Sequence, residues 1–267
     1  MAQLAKAKSA IISANDGCPN NCIICYNAAN RQLSRVLPFD KFKKIIESCP
    51  NLEIAHIEGG EPFRHRQLVA MMNLLSARGI RGEISTSATI WRDDVVDAVR
   101  QSNGLFSLQL HIPAASREAY ESFTGNDAFL VSQKIIGRLV AEIGAPQVKG
   151  RMTVCRENLG ELSGVMEIAK RLGIALDIGL FLPARGSSAT MIGRSEIESV
   201  AFAVKAYFSS GLNVSFTDVK EGRMGCPVAA AAYGYSLSAG ACSAKLGEQA
   251  YFDAGGNASG CAFLGMV

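Results

Sequence analysis

Short apolar, β-rich runs alternate along this chain with longer amphipathic stretches. The runs fall at 10–13, 53–57, 82–87, 105–112, 147–155 and 174–181. Between and after them, apolar side chains recur at helical spacing over 39–48, 66–77, 93–100, 129–142, 161–172 and 195–209. Arg78-Gly79 and Leu172-Gly173 supply the glycine that closes a helix in the left-handed conformation. Six successive strand–helix units predict a parallel sheet with right-handed crossovers, because parallel neighbours need a connection as long as a helix. The expected fold class is α/β, a partial (β/α)6 TIM-like barrel; eight units would be needed to close one. Past residue 210 the alternation stops. The remainder is rich in Gly and Ala and carries three of the eight cysteines. It reads as a small C-terminal cysteine-bearing appendage, 211–267, after a barrel spanning 1–210.

At 267 residues the chain can bury a full core. Its net charge of +3 is spread without a basic stripe, so nucleic acid is not an expected partner. No apolar run approaches the roughly 20 residues of a membrane span, and the N-terminus has no signal-peptide core. No membrane partner and a cytoplasmic location are therefore expected. In that compartment cysteine spacing is read for metal or redox chemistry rather than for disulfides.

Cys18-Pro19-Asn20-Asn21-Cys22-Ile23-Ile24-Cys25 directly follows the first strand. Three thiolates in so short a loop can wrap one side of an iron–sulfur cluster, and three ligands for four irons leave one iron open. A ferredoxin would place a fourth cysteine nearby, and a zinc site would pair its ligands differently. Three structural cysteines in this loop by coincidence is the remaining reading. The C-x₃-C-x₂-C spacing after the first barrel strand resembles the radical S-adenosylmethionine (SAM) superfamily. Its members bind SAM through the methionine amine and carboxylate at the open iron of a 4Fe–4S cluster, and cleave it to a 5′-deoxyadenosyl radical that takes hydrogen from substrate. An aromatic often precedes the third cysteine in that family; here Ile24 does, and Tyr26 follows.

Gly59-Gly60-Glu61-Pro62 closes the second strand run, matching the family's amine-binding GGEP. Glycines admit close backbone approach, and a carboxylate accepts from an ammonium. Ser85 and Ser87 stand where relatives show Thr-Asn-Gly at the end of the third strand, and their hydroxyls are expected to serve the SAM carboxylate or to pack the strand end. His111 and Gly125 fall where the branch with SPASM or twitch appendages shows Ser-Leu-Asp-Gly and a later Gly, and Thr-Val-x-x-x-Asn recurs at 153–158. The resemblance spans about Ile11 to Leu264. It implies that Tyr26, Gly59, Gly60, Glu61, Pro62, Ser85, Ser87, His111, Arg151, Thr153 and Leu182 surround SAM.

Cys242, Gly256 and Cys261 follow the C-x₉₋₁₅-G-x₄-C signature of those appendages, and Phe252-Asp253-Ala254-Gly255-Gly256 resembles their hairpin. With Cys226 these cysteines would hold a second, auxiliary iron–sulfur cluster with an open iron or a non-cysteine fourth ligand. The alternative is a degenerate appendage without a cluster, since the chain has no further cysteine after Cys261.

Alternate strand residues of a βα barrel point inward. One face of each run gives His56 and Glu58; Gln109 and His111; Arg151, Thr153 and Cys155; and Asp177. So many polar groups suit a lumen shared by SAM and a hydrogen-bonding substrate, although His56 or Asp177 could each be satisfied internally. His111 is expected near the SAM ribose, Arg151 against a carboxylate, and Cys155 either as a hydrogen donor or as a structural thiol. The chemistry expected is hydrogen abstraction from a small polar metabolite, such as an alcohol being dehydrogenated, with an electron donor such as flavodoxin or ferredoxin. The short segment before Cys18 lacks room for a leader-binding domain, which points to a metabolite or to a peptide delivered by a partner. The alternatives are a maturase that crosslinks or epimerises a ribosomal peptide, and a non-catalytic iron–sulfur electron carrier.

Overall fold

The computed structural model describes residues 4–216, 219–220, 223–224, 226–233, 236–237, 242, 248–259 and 261. Much of the expected appendage, including Leu264 at the end of the resemblance, lies outside them.

Strands β1 (Ser9–Asn15), β2 (Ile54–Gly59), β3 (Arg81–Thr86), β4 (Phe106–His111), β5 (Val148–Val154) and β6 (Ala175–Leu180) lie side by side in chain order, all parallel. Helices α1 (Phe39–Ser48), α2 (Leu68–Ala77), α3 (Asp93–Gln101), α4 (Arg117–Thr124), α5 (Phe129–Ile143) and α6 (Leu162–Leu172) connect them. α4 is a helix the hydrophobic pattern does not announce. Its eight residues start at a Ser116 side-chain cap and stop at Gly125, in the left-handed region at φ 59°.

Burial along β4 and β5 alternates residue by residue. Phe106, Leu108 and Leu110, like Val148, Met152 and Val154, face the helices and are buried. Their alternate neighbours Gln109, His111, Lys149, Arg151 and Thr153 line a cavity on the other side of the sheet. Period-2 alternation thus separates an apolar outer core from a polar lumen.

Three strands enlarge the sheet beyond the six expected. α7 (Arg194–Ser209) leads into β7 (Val214–Phe216), which pairs parallel with β6. β11 (Gln249–Phe252) inserts parallel to β1 at the opposite edge, with Ala10 opposite Ala250 and Ile12 opposite Phe252. β12 (Ala258–Ser259) then folds back antiparallel on β11. The sheet runs β12-β11-β1-β2-β3-β4-β5-β6-β7 and stays open. It therefore crosses residue 210, and part of the expected appendage is a barrel strand. The remaining described elements are β8 (Val219–Lys220), β9 (Arg223–Met224) and β10 (Ser236–Leu237), a small second sheet, and α8 (Pro227–Tyr233). α8 joins the main core through Ala229, Ala230 and Tyr233, whose hydroxyl donates to the Phe181 carbonyl at 2.5 Å.

Candidate active site

The cysteine loop leaves β1 at the carboxyl end of the strands and is pinned along its length. Asp16 is buried and accepts from Arg35 Nε at 2.7 Å and from Asn27 Nδ2 at 3.3 Å. The Asn21 and Ile23 amides donate to the Thr124 and Phe123 carbonyls at 2.6 and 3.0 Å, and the Ser188 amide donates to the Ile23 carbonyl at 2.8 Å. α4, missed by pattern, is thus one wall of the loop. Cys18, Cys22 and Cys25 all line the lumen, and all are partly exposed.

Gly59 and Gly60 face the same cavity, but what crowds them is the cysteine loop itself. A Cβ on Gly59 (φ 119°) would stand 2.4 Å from the Asn15 carbonyl oxygen, and one on Gly60 would stand 2.2 Å from that of Gly17. The amide following each glycine binds there: Gly60 N donates to Asn15 O at 2.6 Å and Glu61 N to Gly17 O at 2.9 Å. Only glycine permits this approach. The pair clamps the loop to the end of β2.

Glu61 differs from expectation. Its carboxylate is buried and Glu61 is not part of the lumen lining. One oxygen accepts from the Phe63 amide at 3.0 Å and the Thr86 hydroxyl at 2.8 Å; the other accepts from the Ser87 amide and hydroxyl at 2.8 and 2.6 Å. Four donors satisfy a buried carboxylate without a counter-ion. Glu61 therefore ties β2 to β3, and no oxygen is left over for an ammonium. Pro62 is likewise buried outside the cavity lining. Ser87 is held by Glu61 and lies 2.8 Å from the Thr89 hydroxyl, whereas Ser85 donates to Gln109 at 3.3 Å within the lumen.

The wall formed by β2 to β6 carries paired charges. Lys149 Nζ lies 2.5 Å from Glu83, whose other oxygen is 3.2 Å from His56 Nδ1. Burial acts to raise the Glu83 carboxyl; hydrogen bonds from His56 and Lys149 and their charge outweigh it, leaving it below the ordinary value. Arg151 pairs with Asp177, which also accepts from Ser215 at 2.8 Å. The Arg151 guanidinium thus already has a protein carboxylate. His111 stacks obliquely on Phe123, ring centroids 5.8 Å apart, and its buried Nε2 has no hydrogen-bond partner among the described residues. Desolvation, with the nearby Arg151 charge, lowers its pKa to about 4, so the ring is neutral near pH 7.

The lumen has a volume of about 600 Å³, within the range of small-molecule sites. Among the described residues no three His, Cys, Asp or Glu side chains are grouped to chelate a single ion. An iron–sulfur cluster asks for a different arrangement: separate thiolates around one mouth, each to its own iron, with room beyond. The three cysteines and the cavity behind them fit that demand.

Residues 12–169 match the model of the radical SAM superfamily. The chain belongs to the radical SAM superfamily. Similar curated proteins are an AdoMet-dependent heme synthase from Methanosarcina barkeri, 24% identical over 69% of this chain and 54% of that protein, and a PqqA peptide cyclase from Rhizobium meliloti, 26% identical over 58% of this chain and 42% of that protein. The chain spans about half the length of these relatives. Among solved structures, Streptococcus suis SuiB bound to its precursor peptide SuiA superposes with a TM-score of 0.80 at 15% identity, covering 98% of this chain and 61% of that one. That likeness establishes the radical SAM partial-barrel fold.

Within this radical SAM barrel, Tyr26, Gly59, Gly60, Ser85, Ser87, His111, Arg151, Thr153 and Leu182 all line one cavity with the cysteine triad. Cys155 does not. Strand alternation would turn it inward, but β5 ends at Val154, and the chain turns so that the thiol packs against Phe123 and Phe181, fully buried. Burial pushes its pKa up to about 12. The protonated thiol thus sits on Phe123 and Phe181 and 3.5 Å from the Asn158 side-chain oxygen, outside the lumen lining. Sequence reasoning missed Glu83 and Lys149, although each sits two residues from a lumen position it did find.

Of the second cysteine set, Cys226 precedes α8 and packs partly against the main core, and Cys261 follows β12. None of Cys226, Cys242 and Cys261 belongs to the lumen lining. Their hairpin does reach the first loop. Asp253 bonds Arg35 at 3.0 Å, and Arg35 holds Asp16. From β11, the Tyr251 hydroxyl lies 3.2 Å from that of Ser13, and its ring meets Tyr26 edge-on.

Proposed function

We propose that this radical SAM enzyme abstracts a hydrogen atom from a peptide substrate, as a crosslinking or epimerising maturase. The observation that carries this reading is the fold shared with the peptide-bound SuiB, which extends over 98% of the chain and so includes the C-terminal hairpin. The similarity to a PqqA peptide cyclase supports it independently. Cys18, Cys22 and Cys25 would hold the 4Fe–4S cluster, with SAM in the adjoining lumen. Together cluster and SAM supply, when bound, an electron and a 5′-deoxyadenosyl radical.

The protein's own contribution is positioning. The Gly59-Gly60 clamp fixes the cysteine loop, and Glu61 fixes the turn after β2. Neutral His111 offers a buried nitrogen to a hydroxyl, of the SAM ribose or of substrate. The ion pairs Glu83–Lys149 and Arg151–Asp177 present a polar wall with its charges already balanced, which suits hydrogen-bonding groups of the substrate. Cys226, Cys242 and Cys261 would hold an auxiliary cluster that takes up the substrate electron. The reductant would be a one-electron donor such as flavodoxin or ferredoxin. That polar wall also favours a second reading, oxidation of a small polar metabolite.

One experiment separates them. The anaerobically reconstituted enzyme is given SAM, dithionite and either the peptide or the small-metabolite fraction of cells grown in deuterated medium. Deuterium in 5′-deoxyadenosine from the peptide fraction alone is the expected outcome. Label from the metabolite fraction alone would replace the peptide reading with the second one. No 5′-deoxyadenosine at all would overturn both.

A further inference from the structure

We propose that Glu58, with Tyr26 beside it, is a receptor for a protonated amine entering the lumen. The inference rests on the lumen being the reaction chamber and names a chemical group that its ligand must carry.

Four carboxylates line the cavity: Asp16, Glu58, Glu83 and Asp177. Three are matched by a permanent cation. Asp16 has Arg35 at 2.7 Å, Glu83 has Lys149 at 2.5 Å, and Asp177 has Arg151. Glu61, just outside the lining, has four neutral donors instead. Glu58 has neither arrangement. Its one hydrogen bond among the described residues comes from the Tyr26 hydroxyl, at 3.1 Å to Oε2, and it forms no ion pair there. Burial raises the Glu58 carboxyl above its ordinary range, and the Tyr26 hydrogen bond and the more distant His56 and Arg151 charges only partly oppose this.

A half-buried carboxylate with a single neutral donor keeps acceptor sites open to a further donor arriving through the lumen. Packing does not force the residue to be acidic. Glu58 ends the inward row of β2, where the neighbouring inward residue of β1, Ser13, is small and polar. Glu58 lines the same cavity as the three cysteines. A primary ammonium, compact and bearing three donors, completes a carboxylate of this kind without needing a planar, two-pronged partner. The ammonium could be brought by SAM, through its methionine amine, or by the substrate. The chemistry is the same, and the test distinguishes the two.

Cluster-loaded wild type and Glu58→Gln are titrated, with SAM present, with n-pentylammonium and with the neutral 1-pentanol by saturation-transfer NMR. SAM affinity is measured separately by anaerobic calorimetry. If the substrate brings the amine, Glu58→Gln loses about tenfold or more in pentylammonium affinity, while pentanol binds both proteins alike. If SAM brings it, the loss appears in SAM affinity instead, and the receptor assignment stands with that source. No loss in either overturns the proposal. Tyr26→Phe keeps the carboxylate and removes its donor, so it should bind the same amine at least as tightly as wild type. A loss in Tyr26→Phe equal to that in Glu58→Gln would mean general disruption and would also overturn the assignment. A wild type that discriminates amine from alcohol but never releases 5′-deoxyadenosine would sink the proposed reaction and leave Glu58's role intact.

Discussion

Cys18, Cys22 and Cys25 stand in eight consecutive residues at the end of one strand, whereas Cys226, Cys242 and Cys261 are spread over 36 residues and several elements. The first loop is fastened to the ends of β1 and β2, to α4 and to the segment after β6. In the second region, the restraints visible among the described residues are scattered: Tyr233 of α8 on the Phe181 carbonyl, and on the hairpin Asp253–Arg35 and Lys41 to the Gly255 carbonyl at 3.0 Å. The difference teaches when spacing alone specifies a site. A short loop leaving a paired strand and pinned along its length has few conformations, so its cysteine interval translates directly into geometry. A long interval does so only when a scaffold in between is fixed, and here that scaffold is β11, held in the sheet beside β1.

The contrast can be broken by mutation. Cys18→Ala should have the largest effect, abolishing 5′-deoxyadenosine formation and removing about four irons per chain. An unchanged iron count would remove the triad from its assignment. Gly60→Ala should come next, because its Cβ would meet the Gly17 carbonyl oxygen at 2.2 Å. Displacing the clamp should cost about 1–3 kcal/mol, lower the melting temperature by several degrees, and cut SAM cleavage about tenfold or more as cysteine positions shift. Full iron loading with unchanged melting would show that the loop does not depend on the clamp. Cys261→Ala should disturb SAM cleavage least. Iron should fall from about eight to about four per chain, with SAM binding and substrate-free 5′-deoxyadenosine release within about twofold of wild type but substrate conversion lost. Unchanged iron in that variant would make the second region a scaffold without a cluster.

Much of the barrel is legible because local pattern and tertiary environment agree. β4 and β5 alternate apolar and polar residues as the sheet buries one face against helices and turns the other to the lumen. What was illegible has specific causes. Cys155 continues the alternation in sequence, but the strand ends one residue earlier. Glu61 sits in a motif whose resemblance implies ligand contact, yet its carboxylate is occupied by Thr86 and Ser87, contacts that depend on how β3 lies beside β2. The three residues of β7 are too few to show a period. For β11 no local signal exists, since the reason Gln249–Phe252 is a strand is the edge of β1.

That last pairing also bears on how the molecule is made. Ser13 and Tyr251 face each other across 238 positions of chain, so β1, the strand that carries the cysteine loop, keeps an unpaired edge on the ribosome until nearly all that separates them has been synthesised. Unpaired edges are templates for pairing with other chains, and contacts so distant in sequence form late. Among the described strands, the one supporting the cysteine triad therefore completes its pairing only when β11 becomes available. Loading the cluster before Tyr251 has emerged would place it on a sheet still lacking its outer neighbour.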